Sequence, residues 1–201
     1  MKILGISCSP RKNGNTVAML EKVLAGAKAD GADIELYSVA GKNIQPCDGC
    51  WGCMKSGECH IKDDMQELYD KIAEADGIVY GTPIYFYSMT AQAKAVIDRS
   101  MALNQPERGR ANKVGGIVTV CGSLGLVDAL KDFAFYMMTS RMLPAGHVSA
   151  YLMNPEDLEK MPKCLEALNN LGRMMTALAK TGFKYPMEFA RPQFGYGTHT
   201  K

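Results

Sequence analysis

Short apolar runs alternate five times with segments of helical periodicity along this chain. The apolar runs cover residues 2–7, 34–39, 77–81, 114–120 and 147–152, and the periodic segments that follow them cover about 16–29, 63–72, 90–103, 126–140 and 154–182. Strands that alternate with helices predict a doubly wound α/β domain. We therefore expect a parallel five-stranded sheet in the order 2-1-3-4-5.

One domain accounts for the length and composition of the chain. It has 201 residues, of which 47% are hydrophobic and 22% charged, and it shows no low-complexity linker. We expect this domain over residues 1–182, with a cysteine-rich loop inserted at 44–62 and an irregular tail at 183–201. Pro162 interrupts the last periodic segment, so a kink or a short turn is expected before the main helix.

Charge and hydropathy exclude two classes of partner. The 23 Lys and Arg residues nearly balance the 21 Asp and Glu residues, and a formal charge of +2 provides no basic field for nucleic acid. The apolar start of the chain is too short for the core of a signal peptide, and no uninterrupted apolar stretch of about 18 residues occurs. These patterns predict a cytoplasmic protein with no membrane partner.

The loop between the first strand and the first helix has the chemistry of an anion site. A loop that enters a helix presents unpaired N–H groups and the positive end of the helix dipole. Further donors are the side chains of Ser9, Asn13, Asn15 and Thr16, and Arg11 can pair with a phosphate. The patterns G-x-G-x-x-G and G-x-x-x-x-G-K-[S/T] are both missing, which argues against dinucleotide and NTP binding. The loop predicts a phosphate site, and a turn with a capped helix start is the alternative.

Two further loops are expected beside it, because ligands of such sheets bind at the carboxyl ends of the strands, where the winding changes direction. The first is Pro83-Ile84-Tyr85-Phe86-Tyr87-Ser88, whose aromatic side chains and stiff proline suit a flat ring. The second is Cys121-Gly122-Ser123-Leu124-Gly125, expected as the opposite wall of the pocket, with Cys121, Gly122 and Ser123 as its candidate flavin contacts. An aromatic patch at a helix or subunit contact is the alternative for the first loop, and Cys121 is expected to be an inert buried thiol.

Four of the seven cysteines lie in one segment with the spacing C-x2-C-x2-C-x5-C. They are Cys47, Cys50, Cys53 and Cys59. A chain without an export signal keeps its thiols reduced, and two-residue gaps with glycines let successive sulfurs converge on one polynuclear centre, which favours a [4Fe-4S] cluster. Structural zinc sites usually separate two C-x2-C pairs by a longer spacer, which disfavours zinc. Reversible disulfides and metal-free thiols are also compatible with this spacing.

Three segments resemble the NADPH-dependent FMN reductase and iron-sulfur flavoprotein family, whose fold is flavodoxin-like. They are Cys8–Thr16, Ala75–Gly77 with Gly81–Phe86, and Lys94–Arg99, and the resemblance covers roughly residues 1–150. It implies that the FMN phosphate is held by Ser9, Arg11, Asn13, Asn15 and Thr16. It also implies that residues 83–88 pass along the isoalloxazine ring. The family usually has glycine where this chain has Cys8.

The same resemblance implies a flavin-dependent oxidoreductase. Electrons would pass between FMN and a [4Fe-4S] cluster, with NAD(P)H or a reduced ferredoxin as donor and a quinone, an oxygen species or a redox protein as acceptor. A homodimer or homotetramer is expected, in which the cysteine segment or the tail reaches a neighbour's flavin. The alternatives are a NAD(P)H-dependent FMN or quinone reductase without a cluster and a non-enzymatic thiol redox sensor. No catalytic side chain is assigned, because hydride transfer requires no general base.

Overall fold

The computed structural model describes residues 1–104 and 109–190, which form a six-stranded sheet between two layers of helices. The strands are β1 (Lys2–Ser7), β2 (Asp33–Ser38), β3 (Gly77–Tyr85), β4 (Ser88–Met89), β5 (Val114–Cys121) and β6 (Leu143–Tyr151). The helices are α1 (Asn15–Ala29), α2 (Cys53–Ser56), α3 (Met65–Glu74), α4 (Ala91–Arg99), α5 (Leu126–Thr139), α6 (Pro162–Lys180) and α7 (Met187–Ala190). Two 3-10 helices cover Ser100–Leu103 and Pro155–Lys160. None of the described helices is long and apolar enough to cross a membrane.

The five long strands are parallel and follow the order β2-β1-β3-β5-β6, which confirms the predicted order. The short strand β4 pairs antiparallel with the end of β3 as a hairpin. Helices α1 and α6 cover one face of the sheet, and α3, α4 and α5 cover the other. Strand β5 is buried along its whole length, as expected of a central strand that is covered on both faces.

Two strands differ by four residues from the boundaries that the apolar runs predict. Strand β3 continues to Tyr85 rather than 81, because Thr82 and Pro83 still pair with β5 and the chain then turns into the β4 hairpin. Strand β6 begins at Leu143 rather than 147. Its Pro144 breaks the apolar pattern, but an edge strand tolerates proline because one side of its backbone has no strand neighbour.

The helical segments also differ in detail from the prediction. The expected helix 90–103 is α4 followed by a 3-10 turn, and the segment before Pro162 forms a 3-10 helix, so the chain turns there instead of kinking and α6 begins at Pro162. Short helices α2 and α7 lie in segments that the sequence predicts to be irregular. Residues 191–201 of the predicted tail lie outside the described residues.

Helix α1 is fixed in place by a close crossing with α6. A Cβ atom at Gly172 would lie 1.9 Å from Val23 O, and a Cβ atom at Gly26 would lie 2.2 Å from Asn169 O. Two helix backbones approach this closely only where the residues at the crossing lack side chains. The crossing therefore sets where α1 lies on the sheet, and with it the position of the loop that enters α1.

Candidate functional site

The loop between β1 and α1 presents free backbone donors at the carboxyl edge of the sheet. Gly14 occupies the N-cap position of α1, and within residues 1–104 and 109–190 no side chain caps this end of the helix. The amides of Asn13, Asn15 and Thr16 meet no acceptor among the residues that the structure describes. Such amides, together with the helix dipole, form a binding place for an anion.

Side chains of the same loop complement these amides. The Arg11 amide donates to the buried Ser9 Oγ at 3.1 Å, which closes the turn, while the side chains of Arg11 and Lys12 are exposed and bring positive charge. Ser7 Oγ and Asn15 Oδ1 are buried and find no hydrogen-bond partner among the described residues. Donors and cations at the loop fit a phosphate, and the buried oxygens without partners fit the hydroxyls of a sugar chain attached to it.

Hydrogen bonds hold this loop against the ends of the neighbouring strands. The Cys8 amide donates to Gly81 O at 2.8 Å, and Thr90 Oγ1 donates to Cys8 O at 2.8 Å. On the other side, Asn15 Nδ2 donates to Leu152 O at 2.9 Å. The β1, β3 and β6 ends are thus joined into one edge, and Leu152 after β6 is a neighbour that the sequence did not indicate.

The hairpin formed by β3 and β4, called the β3 hairpin below, has an unusual backbone conformation. This conformation directs its aromatic side chains toward solvent. Phe86 and Tyr87 have φ values of +46° and +71°, and Phe86 is 96% exposed. This conformation costs a bulky residue about 1–2 kcal/mol, so the surrounding structure must maintain it. Gly125, after β5, packs on the hairpin so closely that a Cβ atom there would lie 2.5 Å from Tyr87 Cα. The two predicted ring-binding loops therefore touch.

The structure places all the predicted flavin-site residues along this edge of the sheet, and their contact with a flavin stays a prediction. Those of the β3 loop are half-buried or exposed: Pro83, Ile84, Tyr85, Phe86, Tyr87 and Ser88. Cys121 is buried, and Gly122 and Ser123 are exposed beyond it. Leu152 donates its amide to Cys121 O at 3.0 Å, so the end of β6 forms part of the same wall.

The four cysteines of the segment 44–62 line one cavity of about 410 Å³. Cys47 and Cys50 are exposed, whereas Cys53 and Cys59 are half-buried. Other parts of the chain add to the wall, namely Ile97 and Arg99 of α4, Met101 of the 3-10 turn, Arg110 of the segment before β5 and Tyr136 of α5, with Ile61 of the cysteine segment itself. Burial raises the pKa of the Cys53 thiol, and the charges of the neighbouring thiols of Cys59, Cys47 and Cys50 raise it further. The thiolate form of Cys53 therefore needs a positive centre nearby.

The spacing of the ligand atoms bears on which metal suits the cavity. One zinc ion with Zn–S bonds of about 2.3 Å holds its thiolates about 3.8 Å apart. Among the described residues, the compact group of possible ligands is instead Asp48, Cys50 and His60, all exposed, whose ligand atoms lie within 4.8 Å of one another. No three of the four thiols form so compact a group among the described residues, as a single zinc ion would require.

A buried ion pair pins both ends of the cysteine segment, and the sequence did not assign it a role. Arg99 binds Asp63 through two hydrogen bonds of 2.8 and 3.0 Å, and both side chains are almost fully buried. The same guanidinium donates to Gln45 O at 2.9 Å and to Ile61 O at 3.1 Å. Burial alone would raise the pKa of the Asp63 carboxyl, but the hydrogen bonds from Arg99 and from the amides of Gln45 and Met65 hold it below its usual value.

The edge of the sheet that carries the predicted flavin site is called the flavin edge below. It lies at one end of α5, and the cysteine cavity lies at the other end. The helix begins at Leu126, next to Gly125 and the β3 hairpin, and ends at Thr139, which lines the cavity. Its 14 residues span about 20 Å. Three apolar side chains, Val127, Phe135 and Met138, are more than half exposed on one face of this helix.

Comparisons with solved structures agree with this architecture. A flavone reductase superposes with a TM-score of 0.73 at 24% identity, covering 96% of this chain and 66% of that one. A flavodoxin from the domain Archaea superposes with a TM-score of 0.59 at 20% identity, covering 90% of this chain and 99% of that one. These likenesses show the flavodoxin-like fold.

The sequence comparisons identify the family of the chain in addition to its fold. An iron-sulfur flavoprotein of Methanocaldococcus jannaschii is 35% identical over 190 residues, which cover 90% of this chain and 98% of the relative. The family model for NADPH-dependent FMN reductases matches residues 1–155, the part of the chain that carries the phosphate loop, the β3 hairpin and the cysteine segment. The chain therefore belongs to the NADPH-dependent FMN reductase family of flavin-dependent oxidoreductases.

Proposed function

We propose that this protein is an iron-sulfur flavoprotein that passes electrons between FMN and a [4Fe-4S] cluster. The observation that carries the proposal is the convergence of four cysteines on one cavity in a segment that is pinned at both ends. The relative from Methanocaldococcus jannaschii, which aligns over nearly its whole length, supports it. When bound, FMN exchanges electrons in pairs or singly and the cluster exchanges them singly.

The residues of this chain bind and orient the two groups. The free amides and hydroxyls of residues 9–16 hold the FMN phosphate, and the β3 hairpin with Gly125 behind it fixes the ring. Cys47, Cys50, Cys53 and Cys59 supply the thiolates for the cluster. Apolar side chains of the cavity wall, such as Ile97 and Met101, would pack against the cluster.

The proposal includes an oligomer, in which a second copy of the chain binds to the first. The two sites of one chain are separated by the length of α5, and the face of α5 between them exposes Val127, Phe135 and Met138. Exposed apolar residues that are continuous with a functional site mark an interface. We expect a homodimer or homotetramer, measured by light scattering of dilute FMN-loaded protein. A 21.9 kDa particle with FMN fully bound would contradict it.

Iron content tests the cluster directly. Protein purified or reconstituted without oxygen is expected to contain about four irons per chain and to absorb broadly near 400 nm beside the flavin bands. Cys53→Ser should lose this iron because one of four thiolates is missing. Cys164→Ser, in α6 on the other face of the sheet, should keep it. Flavin bands alone, without iron after reconstitution, would reject the cluster.

The phosphate loop is tested by the difference between FMN and riboflavin, which lacks the phosphate. Thr16→Val keeps the methyl group that packs against Gly81 and removes the hydroxyl. A hydrogen bond to a charged group contributes about 1.5–3 kcal/mol, so the affinity for FMN should fall about 10- to 100-fold in a fluorescence titration. Riboflavin affinity should stay unchanged. The same exchange at Thr176, buried in α6, should alter neither affinity.

A NAD(P)H-dependent FMN reductase without a cluster is the second candidate. It is favoured by the composition of the flavin edge, which is built from the ends of β1, β3, β5 and β6 without any residue of the cysteine segment. Steady oxidation of NAD(P)H by iron-free protein distinguishes this function from the first.

A further inference from the structure

A buried cation without a carboxylate partner among the described residues lies in the wall of the cysteine cavity. Arg110 is 6% exposed and donates to Ser100 Oγ at 2.7 Å and to Asn104 Oδ1. Its guanidinium carbon lies 5.1 Å from the centre of the Tyr136 ring. These partners are neutral, so they orient the guanidinium without balancing its charge.

The other charged groups of the cavity wall are paired elsewhere. Arg99 is balanced by Asp63, Asp98 is paired with Lys94, and Asp48 is paired with His60. Within residues 1–104 and 109–190, no carboxylate pairs with Arg110, and its buried Nε has no hydrogen-bond partner. A buried charge is costly without a counter-charge, so a negatively charged group in the cavity that Arg110 lines would stabilise its guanidinium.

The four cysteines on the same cavity supply such an occupant. Four thiolates carry more negative charge than the iron-sulfide core of a [4Fe-4S] cluster carries positive charge, and reduction adds one more electron. A fixed cation stabilises the reduced form over the oxidised form. We propose that Arg110 is a built-in counter-ion for the iron-sulfur cluster and raises its reduction potential; this inference rests on the proposed function.

Potentiometric titration followed by electron paramagnetic resonance measures the effect on the whole, anaerobically reconstituted protein. One unit charge that acts over about 10 Å at an effective dielectric constant of about 20 changes an equilibrium roughly tenfold. Arg110→Gln should therefore lower the ratio of reduced to oxidised cluster about tenfold at a fixed potential, a shift of about 59 mV to more negative values. Arg110→Lys keeps the positive charge, so its reduction potential should stay close to that of the unaltered protein. Arg173→Gln, a surface change on α6, should have no effect.

The outcomes separate the inference from the proposed function. If the unaltered protein takes up no iron, the proposed function fails before any potential is measured. If it takes up iron but Arg110→Gln titrates at the same potential, or if Arg110→Lys shifts as far as Arg110→Gln, the counter-ion role is overturned. Should Arg110→Gln lose the cluster, Asn104→Asp tests the same point, because it places a carboxylate on Arg110 with little change of shape. An unshifted potential in that variant would also overturn the inference.

Discussion

Arg99→Met is expected to lower the free energy of unfolding by about 3–5 kcal/mol, the usual cost of removing one partner from a buried ion pair. The change leaves the Asp63 carboxylate buried without its cation and removes the hydrogen bonds that hold Gln45 O and Ile61 O. Because these two carbonyls begin and end the cysteine segment, the variant should also lose bound iron. Urea unfolding and iron analysis of the same preparation measure both effects.

The same substitution on the surface provides the control. Arg173 is paired with Asp30 in an exposed position, where an ion pair contributes no more than about 1 kcal/mol, so Arg173→Met should unfold almost like the unaltered protein. The double variant Asp63→Leu/Arg99→Met removes both charges and should recover part of the lost stability. A loss below about 1 kcal/mol in Arg99→Met would show that the pair does not hold the segment.

Gly125→Ala is expected to weaken FMN binding by at least about tenfold, which corresponds to about 1.4 kcal/mol. The new Cβ atom would lie 2.5 Å from Tyr87 Cα and 2.6 Å from Tyr87 O, so the loop after β5 and the β3 hairpin must separate. Gly125 also has a φ of +98°, which alanine rarely adopts. Backbone strain and overpacking together should lower the free energy of unfolding by about 2–4 kcal/mol.

Gly31→Ala separates the effect of backbone strain from the effect of overpacking. Gly31 has a similar φ of +89°, but no atom lies within 4 Å of a Cβ built there. This variant should show the backbone strain alone, about 1–2 kcal/mol, and bind FMN normally. Equal FMN affinity for Gly125→Ala and the unaltered protein would show that the contact between the two loops does not shape the flavin site.

The alternation of apolar runs and periodic segments was sufficient to predict the parallel sheet and its strand order. Continuous runs such as 114–120 are visible in the sequence because a central strand is buried on both faces. The weaker boundaries have physical reasons. Pro144 interrupts the apolar pattern at the start of β6, although an edge strand tolerates a proline. The pairing of Thr82 and Pro83 with β5 extends β3 into a segment that has the composition of a loop.

The candidate sites were predictable from local sequence patterns and from the rule that ligands of such sheets bind at the carboxyl ends of the strands. The phosphate loop and the cysteine spacing are local patterns. Arg99 lies in a segment that resembles the family, but its contacts with Asp63, Gln45 and Ile61 join residues far apart in the chain. Arg110 carries no local signal, since its position beside the cavity depends on the packing of α5 against the 3-10 turn.

The pinned ends of the cysteine segment also bear on how such a protein could change over evolutionary time. Gln45 and Ile61 meet at one guanidinium, so the chain leaves and re-enters the domain at nearly the same point. Insertions, deletions and exchanges of ligands between these residues need not alter the register of β2 or the placement of α3. The segment is in this sense a module: it can gain, exchange or lose side chains while the edge of the sheet beside α1 stays unchanged.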